Sequence, residues 1–365
     1  MKICYLTYSL DLDRGAGKFS KTLIDTFRDM NPEWDIVVLT TRPTGDPNEK
    51  PIIYADKYKL LINFIKIRSI IRECDVVHAL DGFPFGVIAA LATMGSKKKL
   101  IITGLGTGAI RTLYRPIYSK LLKWAYQRAD TVTAISRYTA REINKKIPRL
   151  KIKVITPGVN FDEFKKESSL VPKEISEKKP YLLTVGTIKK RKGHHIALPA
   201  FAEVLKKIPE LNYVIVGNPA IGSEYYLKLK ETMQRLKIED RVFIFSNIDQ
   251  GFLRQLYNNA ELFFLMSQNI GQDVEGFGLV FLEAAASALP VIGSKNCGAE
   301  DAILDKENGF LVEPDDIGAV SEAIIKILSD QDLKAGFSER SVAFAKTMDW
   351  RKQAGTYSEI YNINR

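Results

Sequence analysis

The sequence predicts an α/β protein of two doubly wound, Rossmann-like domains that face a central cleft. Three observations predict it. Short β-branched, apolar runs alternate with stretches of helical period along the whole chain. The alternation breaks once, over residues 168–180, and then restarts. And 365 residues are many for one core but comfortable for two.

In chain order, the strands expected in the first domain, 1–167, are Lys2–Thr7, Asp35–Thr40, Asp75–Ala79, Lys99–Thr103, Thr131–Ile135 and Ile152–Ile155. Helical period fills the gaps at Phe19–Met30, Leu61–Glu73, Phe85–Thr93, Ile117–Arg128 and Ser136–Lys145. Ser136 is placed to cap the last of these. Strands separated by helices of that length form a parallel sheet covered on both faces. Residues 168–180 are charged, contain Ser and Pro, and carry little apolar period, so they read as the linker.

The second domain, 181–346, repeats the scheme. Its expected strands are Tyr181–Val185, Asn212–Val216, Val242–Phe245, Leu262–Leu265, Pro290–Gly293 and Gly309–Leu311. Its expected helices are Ile196–Lys206, Tyr225–Lys237, Phe252–Asn258, Phe277–Ala288, Ile317–Ser329 and Leu333–Lys346. Residues 347–365 are expected to form a C-terminal helix that crosses back to the first domain. Doubly wound sheets take ligands at the carboxyl ends of their strands, so two facing crevices would make the cleft the active site.

Composition narrows the class. Cys4, Cys74 and Cys297 are far apart and form no metal or redox spacing, which fits a reduced cytoplasmic setting. Met1 runs straight into a strand, so no secretory leader is expected. The longest uncharged run, about Gly82 to Gly95, is too short to span a bilayer. The net charge of +10 is uneven: residues 1–167 hold 29 Lys and Arg against 17 Asp and Glu, and Lys97–Lys153 alone holds 15 against 2. Such a region suits an anionic partner: membrane lipid, a phosphorylated acceptor or nucleic acid. Tyr114, Tyr118, Trp124 and Tyr126 are interleaved with its cations, as suits lipid headgroups; a solvated cover helix, with Leu121, Leu122 and Ala125 turned to the core, is the alternative.

Four segments of the second half fall where a crevice would collect them. Gly186-Thr-Ile-Lys-Lys-Arg-Lys-Gly193 follows a strand and places four cations between glycines. It reads as an anion clamp or as a solvated basic loop. Glu275-Gly-Phe-Gly-Leu-Val-Phe-Leu-Glu283 opens a helix whose first N–H groups can meet an anion, with a carboxylate at each end to accept bonds from sugar hydroxyls. The others are Gly293–Asp301 and Asn308–Asp316. In the first half, Gly15 and Gly17 follow the first strand and would let backbone approach a phosphate. His78 and Asp81 end another strand, and Gly104 and Gly106 the next. His194 and His195 open a helix and read as surface residues.

In this order and spacing the four segments resemble retaining glycosyltransferases of family 4, which have the GT-B fold. The resemblance is strongest from Tyr181 to Asp316. It implies that Glu275 is the catalytic carboxylate beside the donor sugar. Glu283 would hold the donor ribose, with Phe277 and Gly278 near sugar and ribose. Arg191 and Lys192 would hold the diphosphate, joined by Gly15, Gly17 and N–H groups at Leu279 and Val280. His78, Asp81, Gly104 and Gly106 are candidates for the cleft.

Family members carry a cleft His where this chain has Leu105, which can neither donate nor take a proton through its side chain. The expected activity is a retaining, metal-independent hexosyltransferase using a UDP- or GDP-linked sugar and a glycan, lipid-linked or protein-linked acceptor. Arg191, Lys192 and a helix N-terminus can neutralise the leaving diphosphate without a metal. The Asp11–Asp13 and Asp330–Asp332 pairs read as loop or junction residues. No cofactor, metal or nucleic-acid partner is expected. The chain would be cytoplasmic, peripheral at the inner membrane face through the basic region 97–153. Leu105 motivates an alternative: a non-catalytic GT-B protein that binds nucleotide sugars or serves as a partner subunit.

Overall fold

The computed structural model describes residues 1–12, 14–54, 57–166, 171–219 and 223–362. Its contacts gather into two units: Met1–Gly158 together with Trp350–Arg365, and Val159–Asp349.

The first unit runs β1 (Lys2–Leu6), α1 (Gly15–Met30), β2 (Asp35–Leu39), β3 (Glu49–Lys50), α2 (Lys57–Arg72), β4 (Val76–Leu80), α3 (Val87–Ala92), β5 (Lys99–Gly104), α4 (Thr107–Arg111), α5 (Pro116–Arg128), β6 (Thr131–Ala134), α6 (Arg137–Lys146) and β7 (Ile152–Val154). The strands are parallel, in the order β3-β2-β1-β4-β5-β6-β7. Every residue of β4 is buried, as expected of a strand covered by helices on both faces. Helix α1 buries Phe19, Leu23, Ile24 and Phe27, one stripe of a 3.6-residue period. It begins four residues ahead of that stripe, because Gly15-Ala-Gly-Lys carries no apolar period to mark it. The two charged residues of β3 likewise gave no strand signal.

The second unit runs α7 (Phe161–Phe164), α8 (Lys173–Ser176), β8 (Tyr181–Val185), α9 (His194–Leu205), β9 (Asn212–Val216), α10 (Glu224–Leu236), β10 (Val242–Phe245), α11 (Gln250–Asn259), β11 (Leu262–Leu265), α12 (Leu279–Ala286), β12 (Val291–Ser294), β13 (Gly309–Val312), α13 (Ile317–Ser329) and α14 (Gln331–Thr347). Its six parallel strands are ordered β10-β9-β8-β11-β12-β13. A core of Leu182, Phe201, Tyr213, Phe264, Ile292 and Ile324 joins sheet to helices. Of the expected linker, residues 168–170 lie outside the described set, and α8 occupies part of the rest.

Local chemistry sets the helix starts. Ser136 Oγ accepts from the Thr139 N–H at 3.0 Å and caps α6. Helix α12 starts at Leu279 rather than at Phe277, because Gly278 ahead of it holds φ at 87°, in the left-handed region.

The last helix, α15 (Trp350–Asn362), packs on α1 in the first unit. It places Tyr357 and Tyr361 in the interior. Tyr361 Oη lies 3.1 Å from Tyr5 Oη and 2.7 Å from His78 Nδ1; His78 Nε2 lies 2.6 Å from Thr103 Oγ1. Two expectations are corrected by packing. Leu121 is exposed while Leu122, Ala125 and Tyr126 form the buried stripe of α5, so Tyr126 is core and not a headgroup contact. His194 is fully buried with neither ring nitrogen bonded.

Candidate active site

In the second sheet the strand order reverses between β8 and β11, the place where such sheets leave a crevice. The loops that leave these two strands carry the decisive groups. The loop after β8 tightens into one helical turn, Lys190–Lys192, closed by Gly193 with φ 70°. A Cβ at Gly193 would run into the Met266 carbonyl at the end of β11, so only glycine lets the two loops touch. The Gln268 N–H then donates to the Arg191 carbonyl at 2.7 Å and fixes their register.

This packing separates the four cations. Lys189 and Lys190 are exposed, whereas Arg191 and Lys192 turn inward. Arg191 Nη1 and Lys192 Nζ donate to the same oxygen, Glu275 Oε2, at 2.8 and 2.6 Å, and Ser267 Oγ donates to it at 2.9 Å. Glu275 is buried. Burial alone would raise its pKa; the Lys192 and Arg191 charges and the Ser267 hydroxyl outweigh that and hold it down at about 2. The carboxylate is therefore ionised at neutral pH, and the cluster of two cations and one anion keeps a surplus positive charge.

The remaining segments close around this cluster. The Gly298 N–H donates to the Glu275 carbonyl at 2.9 Å, which ties Gly293–Asp301 to it. Gln268 Nε2 donates to Asp315, which ties in Asn308–Asp316. Leu279 and Val280, half-buried, form the first turn of α12. Phe277 is buried, so its side chain serves packing and only its backbone can face a ligand. Glu283 is buried further along α12 and accepts from Tyr257 Oη at 3.0 Å.

In the first sheet the order reverses between β1 and β4. Gly15 opens α1, and the space a side chain at Gly17 would need is filled by the backbone of Asp11. Asp81, just past β4, is half-buried and adopts φ 146°, a conformation rarely seen outside glycine. Its Oδ1 accepts from the N–H groups of Gly82 at 2.8 Å and Leu105 at 3.5 Å. Burial pushes the carboxyl up to about 7, against those N–H groups and the Arg111 charge. Gly104 is buried, and Gly106 turns the chain with φ 115°. Leu105 thus contributes its backbone N–H to Asp81.

His78 is not a cleft group. It is fully buried, both ring nitrogens are engaged in the core, and burial pushes its pKa down to about 3. Of the Asp pairs, Asp11 is ion-paired with Arg42 and Asp330 caps α14 through the Leu333 N–H, while Asp13 lies outside the described residues. Ser267, Gln268 and Tyr257 were not anticipated. No local pattern marks them; only the strand order brings them to this place.

Comparison with known proteins gives the family and the fold. Residues 165–343 match the family "Glycosyl transferases group 1" and residues 14–163 match "Glycosyltransferase Family 4". The chain is 29% identical over 279 residues to the N-acetyl-alpha-D-glucosaminyl L-malate synthase of Bacillus anthracis, covering 74% of this chain and 69% of that protein. It is 24% identical over 302 residues to a GDP-mannose-dependent alpha-(1-6)-phosphatidylinositol monomannoside mannosyltransferase of Mycolicibacterium smegmatis, covering 79% and 78%. The crystal structure of Anabaena HepE in complex with UDP-glucose superposes with a TM-score of 0.82 at 21% identity, covering 99% of each chain, and shows the shared GT-B fold. The chain belongs to glycosyltransferase family 4.

Proposed function

We propose that this protein transfers a hexose from a UDP- or GDP-linked sugar to an acceptor hydroxyl with retention at the anomeric carbon. The observation that carries the reading is the single oxygen, Glu275 Oε2, that holds both Arg191 and Lys192 at the reversal point of the second sheet.

Glu275 holds both cations through one oxygen. A diphosphate brings more negative charge and more acceptor oxygens than one carboxylate, so it competes for the guanidinium and ammonium. Glu275, released from them but still bonded to Ser267, can then accept from a sugar hydroxyl. As the glycosidic bond breaks, charge grows on the leaving phosphate, and Arg191, Lys192 and the first N–H groups of α12 stabilise it. These groups neutralise that charge without a metal. The acceptor enters on the leaving-group side, and its proton passes to the departing phosphate oxygen. In this reading Glu283, which accepts from Tyr257, also accepts from ribose hydroxyls.

The names of the relatives support a UDP or GDP donor and an acceptor that is small and anionic or lipid-linked. A lipid-linked acceptor at the cytoplasmic face suits the cation excess of residues 97–153. Thermal-shift screening against nucleoside diphosphates and their sugars identifies the donor. Proton NMR of the product then reads its anomeric configuration; an inverted product would overturn the proposed stereochemistry.

A further inference from the structure

We infer that the outer face of the helical layer α2–α3–α5 docks on an anionic lipid bilayer. Three helices form one continuous surface because α3 is bonded to both neighbours. Arg68 of α2 donates to the carbonyls of Leu91 and Met94, and Arg128 of α5 donates to those of Ala90 and Thr93.

Aliphatic side chains stand out from this layer into solvent. Ile62 and Ile65 on α2 are 75% and 78% exposed, and Ile117 on α5 is 76% exposed. Leu121, Leu91 and Met94 are exposed beside them. Ile62 and Ile65 stand one turn apart on α2, Ile117 stands on the same layer, and isoleucines left this bare mark a surface that is covered in use. Among the described residues of the second unit, the exposed large apolar side chains are only Leu227 and Ile270.

The charge on the same layer has one sign. Helices α2, α3 and α5 contain no Asp or Glu, and none occurs between Asp81 and Asp130. Lys66 and Lys120 are exposed beside the isoleucines, and Lys123 is half-buried. Helix α1 of the same unit is mixed instead, with Lys21 and Arg28 both paired to Asp25. Lysines over bare aliphatic side chains complement anionic headgroups above acyl chains. Nucleic acid would want fully exposed stacking rings, whereas Tyr118 and Trp124 of this layer are half-buried, and a protein partner would leave the lysines needing an acidic rim. No described helix is long and apolar enough to cross a membrane.

The inference deepens the membrane placement of the proposed function, but its test does not depend on transfer. The full chain is sedimented with phosphatidylcholine vesicles and with vesicles in which about a third of the lipid is phosphatidylglycerol. Binding is expected to the second kind and to weaken as salt rises. Ile62→Ser, Ile65→Ser and Ile117→Ser combined should weaken it roughly tenfold or more. Lys66→Glu with Lys120→Glu should remove the preference for anionic lipid. UDP and GDP titrations of these variants should match the parent, which shows an intact fold and keeps the donor reading separate. Equal sedimentation with both vesicles, undiminished binding of the serine variant, or self-association that the serines abolish would overturn the bilayer as occupant.

Discussion

The Lys192 ammonium stands 2.6 Å from Glu275 Oε2, and the Arg191 guanidinium shares that oxygen at 2.8 Å. The groups read as diphosphate-binding are thus preassembled by the group read as catalytic. Arg191→Ala with Lys192→Ala should weaken UDP or GDP binding by ~2–5 kcal/mol, measured by calorimetry. Glu275→Gln should behave differently: transfer is lost, nucleotide affinity is kept or raised because the cations are no longer held by a carboxylate, and stability falls by about 1–3 kcal/mol in denaturant unfolding. Weakened nucleotide binding in that variant would contradict the competition between carboxylate and diphosphate.

Two buried histidines give a pH signature. Burial pushes both His78 and His194 from 6.5 to about 3. Between those values the unfolded chain binds protons that the folded chain refuses, so their contribution to stability falls as pH drops through 6.5 towards 3. His194→Leu removes a ring with no hydrogen-bond partner. Its stability at neutral pH should stay within about 1 kcal/mol of the parent or rise, and its loss on acidification should be smaller. Unfolding midpoints at several pH values measure both.

Asp81 carries the opposite sign. Its carboxyl is raised from 3.8 to about 7, so between those values the folded chain binds the extra proton and stability falls as pH rises. Asp81→Asn keeps an acceptor for the Gly82 N–H and removes the charge. Its advantage over the parent should grow from pH 4 to pH 7, reach roughly 1–2 kcal/mol given its partial exposure, and then level off. An advantage independent of pH would show that the charge is not the cause.

Tyr361→Phe deletes one hydroxyl that serves both His78 and Tyr5 in the core. Leaving those two groups without it should lower stability by about 1–3 kcal/mol, read by thermal or denaturant unfolding, with UDP and GDP affinity unchanged.

What could be read beforehand follows from range. All strands but β3 were legible, because burial on both faces leaves apolar runs, unbroken in Leu262–Leu265 and broken only by His78 in Val76–Leu80. The cap at Ser136 was legible because its partner is three residues away. The nearness of Arg191 to Glu275 was reached only through resemblance, since 84 residues separate them. His78 was misplaced for the same reason: its partner Tyr361 lies 283 residues on, in the final helix. Leu121 was misplaced because Leu121 and Leu122 are alike, and only the packed sheet chooses which one turns inward.

That final helix has a bearing on synthesis. The ribosome releases residues 1–158 first, but the tyrosines that fill the interior of their sheet come last, after the whole of 159–349 has emerged. Throughout that interval Tyr5 and the His78 Nδ1 lack their partner Tyr361, and the nascent lobe is a customer for chaperones. Messages truncated upstream of Trp350 would yield a fragment whose second lobe is whole and whose first lobe is not, a target for proteolysis from one end only.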